Sequence, residues 1–249
     1  MFRRASEIRE AYRDVQVAES YVDQRFREPL GALLHDRQVA ALKRVVAALK
    51  PRRVLELAPG PARITTDIAP ALAGARLTVV DTSAQMLSVA RRRLNTSGQR
   101  SVRFAQGDAF ALPFRGEFDL VYTFRLIRHF DDRDRQRIYR QIARVLRPGG
   151  MLVFDAVNET VSAPLRAKAP AEYSHYDALL RPARLSAELA GAGFQLNGLL
   201  GLQHHYELLE KLQVTIAPRS RPLARGAMEL VERVGRGEPL EWVVTCRRA

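Results

Sequence analysis

Between residues 52 and 156, short apolar runs alternate with helix-like segments, and this alternation constrains the fold more than any other feature of the chain. The runs are "RRVLELA", "RLTVVD", "SVRFAQGD", "EFDLVYTF" and "GMLVFDA". Among them lie "PARITTDIAPAL", "TSAQMLSVARRRL" and "RDRQRIYRQIARVL", each with helical character. In the last, Ile138, Ile142, Val145 and Leu146 form an apolar stripe; Asp131 and Asp132 mark its start and "RPGG" its end. Thr82 or Ser83 is placed to cap the helix of "TSAQMLSVARRRL". Strands separated by crossover helices pair in parallel, so the pattern predicts an α/β fold with a doubly wound, mostly parallel sheet covered by helices on both faces.

The flanking segments differ. Residues 1–34 are read as an N-terminal arm or lid, polar with interspersed aromatics, and 35–249 as one domain. Val39, Leu42, Val45, Val46 and Leu49 recur at helical spacing until Pro51 stops the helix. Residues 159–180 interrupt the alternation with alanine, proline and tyrosine, as a small cap over a site would. After the helix of "RLSAELAGAGF", the stretches "QLNGLLGLQHHY" and "LEWVVTCRR" read as two late strands paired antiparallel at one edge. His204 and His205, adjacent on the first of these, would point to opposite faces and make no metal pair.

The chain has 249 residues, 47% of them hydrophobic, which is enough for one sizeable core. The single cysteine, Cys246, leaves no internal disulfide framework and fits a reducing cytoplasm. No segment has the length of an apolar membrane span, and the first residues lack the apolar core of a signal peptide. A net charge of +13 raises the question of nucleic acid. The arginines are spread along the chain instead of forming one tract, so solvated helix faces account for them equally well, and attraction of an acidic substrate stays open.

The turn after the first strand, "VLELAPGPARIT", is where such a sheet binds its ligand. A dinucleotide site would show G-x-G-x-x-G; the chain has Ala58, Gly60 and Arg63 there, which speaks against a dehydrogenase. No phosphate-binding G-x-x-x-x-G-K-[ST] loop exists. Glu56, Asp81 and Asp108 stand instead at three successive strand ends, a set that suits a cationic nucleoside without phosphates. Each taken alone is more often a solvated strand-end charge or a turn residue.

Together, "VLELAPGPARIT", "LTVVDTSAQMLSVARRRL", "VRFAQGDAFALPF", "FDLVYTFRLIRHF" and "ARVLRPGGMLVFDA" resemble the class I S-adenosylmethionine-dependent methyltransferases, in particular the small-molecule branch of the ubiquinone/menaquinone methyltransferases. The resemblance covers roughly residues 35–249 and implies a seven-stranded sheet with the last strand antiparallel. It further implies S-adenosylmethionine as methyl donor and S-adenosylhomocysteine as product. Glu56 and the backbone of Ala58, Pro59 and Gly60 would lie at the methionine amino end, and Asp81 at the ribose. Thr82 and Met86 would flank the adenosine, Asp108 and Ala109 the adenine, and Thr123 the methionine part. The departures are Ala58 and Ala62, where the family usually has glycine, and the prolines at 59 and 61. Alanine is expected there only with negative φ, giving a rigid turn that still binds.

Methyl transfer from a sulfonium is an in-line displacement, and a base is needed only if the acceptor must lose a proton. In "YTFRLIRHF", His129 is the candidate base or orienting donor, and Arg125 and Arg128 candidates to clamp an acidic acceptor. The bland alternative makes His129 a helix cap and the arginines surface charges. Tyr21, Arg25, Tyr173 and Tyr176 are lid candidates, each also readable as packing. There is no cysteine placed for cytosine-type covalent catalysis, no N-P-P-[YF] turn, no paired-glutamate loop, and no Asp-Asn metal pair beside Asp155. What remains is metal-free O-, N- or C-methylation of a small molecule. Its rivals are an RNA- or protein-directed methyltransferase and an inactive cofactor-binding partner subunit; a homodimer is compatible with all three.

Overall fold

The computed structural model describes residues 26–96, 102–172 and 176–249. Helix α1 (Pro29–Leu49) leads into β1 (Arg53–Leu57), α2 (Arg63–Ile68), β2 (Arg76–Asp81), α3 (Ala84–Thr96), β3 (Arg103–Gln106), β4 (Phe118–Thr123), α4 (Asp132–Val145) and β5 (Leu146–Asn158). Then come α5 (Glu159–Lys168), β6 (Leu179–Leu180), α6 (Pro182–Ala190), β7 (Phe194–His204), α7 (Tyr206–Thr215), α8 (Arg221–Val234) and β8 (Pro239–Arg248). The strands form one sheet in the order β3-β2-β1-β4-β5-β8-β7, with β6 attached to β5. Pairing is parallel from β3 through β5, and β8 runs antiparallel to both of its neighbours.

Period-two alternation sorts the strands onto two cores. Leu55, Val121, Leu152 and Val244 face α4 and α6 through Ile138, Ile142, Leu185 and Leu189. Val54, Leu120, Val153 and Val243 face the other way, against Val39, Leu42, Val46, Ile64 and Ile68 of α1 and α2. Both faces are therefore covered, which is why the central strands read as nearly unbroken apolar runs. Asp131 caps α4 by accepting from the Asp134 amide at 2.8 Å, a contact worth about 1 kcal/mol, and Ser83, not Thr82, caps α3 by accepting from the Met86 amide at 3.2 Å.

Several expectations are corrected. Helix α1 begins at Pro29, so it crosses the boundary expected between residues 34 and 35. The helix expected over "PARITTDIAPAL" is α2 followed by a tighter turn at Ala69–Leu72, because Pro70 cannot continue the α-helical ladder. α4 does end at "RPGG", but β5 begins at Leu146, before the expected "GMLVFDA", so that stretch lies within the strand. The two late strands do pair antiparallel at one edge, with β8 between β5 and the outermost β7. The sheet has eight strands, not seven, because residues 159–180 are more than a loop: they hold α5 and the two-residue β6. Val157 pairs with Glu241 of β8 and with Leu179 of β6, so β6 must use the edge of β5 that β4 occupies farther back. His205 is not on a strand; it takes φ 53° and starts α7, while His204 Nδ1 meets Glu232 at 3.0 Å. Among the described residues, no helix is long and apolar enough to cross a membrane.

Candidate active site

An open cleft, about 390 Å³ with the solvent at its mouth included, lies beyond the carboxyl ends of β1, β2 and β3. Its walls include Ala58, Asp81, Thr82, Asp108 and Ala109, with Leu126 and Phe130 closing one side. The parallel register explains the gathering: Leu57 pairs with Val80, and Asp81 with Gln106, so the three strands end nearly level.

Asp81 is buried, and its carboxylate accepts backbone hydrogen bonds from Gly60 at 3.2 Å and Ser83 at 2.9 Å. Burial raises its pKa, and those amides work in the opposite direction. Asp108 Oδ1 accepts from the Phe110 amide at 3.0 Å, and Met86 is buried within α3.

Glu56 shares its face of β1 with Val54 and so points beneath the turn toward α2. Its Oε2 accepts from Thr65 Oγ1 at 2.6 Å and from the Tyr122 hydroxyl at 2.7 Å, while Oε1 takes no hydrogen bond from the described residues. Burial pushes the carboxyl up to about 7 against the opposing pull of these hydroxyls and Arg63. Tyr122 and Thr65 were not singled out from the sequence; the available signal is that Tyr122 pairs directly with Glu56 across the sheet.

The turn itself departs from expectation. Ala58 and Ala62 take φ 51° and 62°, in the left-handed region, with Gly60 at 55° between them. The backbone forces this: the Ala58 amide must reach the Val80 carbonyl at 2.8 Å, and the Ala62 amide folds back to Pro59 at 3.0 Å. An added Cβ at Gly60 would meet nothing within 4 Å, so this face of the turn is open. Arg63, the residue in place of the third dinucleotide-motif glycine, is buried; its NH1 lies 2.6 Å from His35 Nδ1, NH2 donates to Gln38 at 2.8 Å, and Phe26 stacks on it.

Of the residues after β4, Thr123 donates its hydroxyl to the Leu57 carbonyl at 2.8 Å, tying two strands together. Arg125 is half-buried with φ 62°, and its amide donates to Asp155 Oδ1 at 2.6 Å. Arg128 cannot clamp an acceptor as expected, because it is buried and already spoken for. It donates to Asp155 at 3.2 Å, to Glu241 at 2.6 Å, and through Nε and NH2 to both oxygens of Asp177 at 2.8 and 3.3 Å. His129 is not the cap of α4, a role Asp131 fills; its ring is buried with Nδ1 3.1 Å from the Tyr176 carbonyl and 3.2 Å from Asp177 Oδ1. Both neighbours only accept, so Nδ1 carries a hydrogen and the lone pair of the neutral ring sits on Nε2. Nε2 is buried and has no hydrogen-bond partner among the described residues. Leu126 and Phe130, which bracket this tight turn, both line the cleft. Tyr176 thus contributes a backbone carbonyl; Tyr21, Arg25 and Tyr173 lie outside the described residues.

Residues 54–150 match the family model described as a methyltransferase domain. The chain is 32% identical over 169 residues to a ubiquinone biosynthesis O-methyltransferase of Aromatoleum aromaticum, covering 64% of this chain and 70% of that protein. It is also 32% identical over 181 residues to the protein of the same name from Xanthomonas axonopodis pv. citri, covering 68% and 74%. In fold it is similar to the crystal structure of magnesium protoporphyrin IX methyltransferase from Synechocystis PCC 6803 with bound S-adenosylhomocysteine, with a TM-score of 0.69, 12% identity, and coverage of 98% and 99%.

Proposed function

The chain belongs to the class I S-adenosylmethionine-dependent methyltransferases, and on that premise we propose that it methylates a hydroxyl oxygen of a small-molecule acceptor, with His129 receiving the proton. It is an enzyme that uses S-adenosylmethionine to methylate a small molecule. The proposal concerns which atom is methylated and which residues act. The observation that carries it is the lone pair of His129 Nε2, buried without a partner among the described residues, in a turn whose flanking residues line the cleft.

The residues of the cleft fit the methyl donor, a cationic nucleoside without phosphates: the polar side chains that line it are two carboxylates and a threonine, and the turn at Gly60 is open. When bound, it supplies a methyl group on a positively charged sulfur. In this reading, Asp81 accepts from the ribose hydroxyls, and Glu56 Oε1 receives the amino group beside the Ala58–Gly60 backbone. Asp108 and Ala109 meet the adenine, Thr82 borders the adenosine while Met86, buried within α3, does not line the cleft, and Thr123 keeps β1 and β4 together under the methionine part. His129 then takes the acceptor's proton while Leu126 and Phe130 exclude water. An imidazole as base suits a phenolic hydroxyl better than an aliphatic one, because proton transfer is best matched to the more acidic group. The O-methyltransferase names of the two relatives agree with an oxygen acceptor.

The test is incubation with S-adenosylmethionine and a panel of phenols, catechols and amines, following S-adenosylhomocysteine and product mass. O-methylated phenol supports the reading, and methylation confined to nitrogen or carbon refutes it.

A further inference from the structure

Asp177 is fixed more firmly than a surface carboxylate could be. Arg128 contacts both of its oxygens, and Arg166 of α5 adds a third contact, NH2 to Oδ2 at 2.6 Å. Burial works against the charged form of Asp177, but Arg128 and then His129 outweigh it and hold the carboxyl well below the usual carboxylate range. The segment carrying it is seated on the turn it serves, since the Ala178 amide donates to the Arg128 carbonyl at 2.6 Å just before β6 joins β5.

The charged groups near His129 include Arg125 and Arg128 in its own turn, Asp177 beside β6, Arg166 on α5, Asp155 on β5, Glu241 on β8, and Arg135 on α4, which donates to the Phe130 carbonyl at 2.7 Å. A protonated imidazole would meet the Asp177 carboxylate at 3.2 Å.

We propose that Asp177 is a positioning residue for methyl transfer, fixing the His129 ring with its lone pair on Nε2 and offsetting the charge that the ring gains. This rests on the reading of His129 as the base. In the assisted step, the acceptor O–H bond breaks, its proton goes to Nε2, and its electron pair stays on oxygen. The oxygen bonds to the methyl carbon as the carbon–sulfur bond breaks, that pair remaining on sulfur and discharging the sulfonium. The imidazolium afterwards returns its proton to water.

The test compares wild type, Asp177→Asn and Arg166→Gln on a series of phenols, from weakly acidic ones to a nitrophenol already ionised at the assay pH. Asp177→Asn is expected to lose about 10- to 100-fold in kcat on the weakly acidic phenols, up to the lower end of what a general base itself contributes, since the variant keeps the base and loses only its positioning. KM for S-adenosylmethionine should stay within about threefold, and the defect should shrink toward none on the nitrophenol, which has no proton to give up. Arg166→Gln should show the same trend more weakly. An equal loss across the series, or one confined to KM, overturns the proposal. Wild type that methylates no phenol would instead refute the underlying reading. Nitrogen-15 NMR of the wild-type histidines, with His129 assigned through His129→Gln, decides the ring geometry even if a variant fails to fold. A lone pair on Nε2 supports Asp177 in this role, and hydrogen on Nε2 with the lone pair on Nδ1 overturns it.

Discussion

Tyr122 donates its hydroxyl to Glu56 Oε2 at 2.7 Å from the residue directly opposite on the neighbouring strand. This carboxyl, with its pKa moved from 4.5 to about 7, holds its proton more readily in the folded than in the unfolded chain. Its stabilising contribution is therefore complete below about pH 4.5 and disappears as the pH rises to about 7. At 1.36 kcal/mol per unit, the loss is of the order of 3 kcal/mol. Urea unfolding of the cofactor-free protein between pH 4.5 and 8 should show that slope, and Glu56→Gln should flatten it.

Asp81→Ala should weaken S-adenosylmethionine binding by about 2 to 3 kcal/mol, roughly 30- to 150-fold in Kd, because hydrogen bonds to a charged acceptor are lost. Calorimetric titration checks this. Because Asp81 also holds Gly60 and Ser83, Asp81→Asn should retain more of the binding than alanine does.

Arg128→Met should destabilise the protein by roughly 3 to 5 kcal/mol, since it leaves Asp155, Asp177 and Glu241 buried without their shared counter-charge. Arg128→Lys should recover little, because an ammonium cannot span three carboxylates as the planar fork does. Chemical denaturation at neutral pH measures both.

Ala58→Gly should stabilise the fold by up to about 1 kcal/mol by relieving a left-handed alanine, and Ala58→Val should cost about 2 kcal/mol or more. Melting curves of the two variants should therefore shift in opposite directions.

The sheet was legible because burial on both faces writes itself as unbroken apolar runs, and the strand-end carboxylates because a parallel register brings β1, β2 and β3 to one level. Partnership across long separations was not legible. Arg128 reads as a free clamp until the fold brings Asp155, Asp177 and Glu241 to it, and nothing near His129 in sequence announces a carboxylate 48 positions away. The two-residue β6 is too short to carry a periodicity. The negative φ expected at Ala58 and Ala62 follows from the residues alone, whereas the observed values answer to the Val80 carbonyl and the start of α2.

The turn from Ala58 to Ala62 has prolines at positions 59 and 61, so two of its torsions are fixed by covalent rings, while hydrogen bonds hold the alanines in their unusual wells. A glycine-rich version would have to give up conformational freedom each time a ligand arrived. Here that entropy is lost during folding, once per molecule and not once per binding event, so a methyl donor bound at this turn would meet a surface with almost nothing left to freeze.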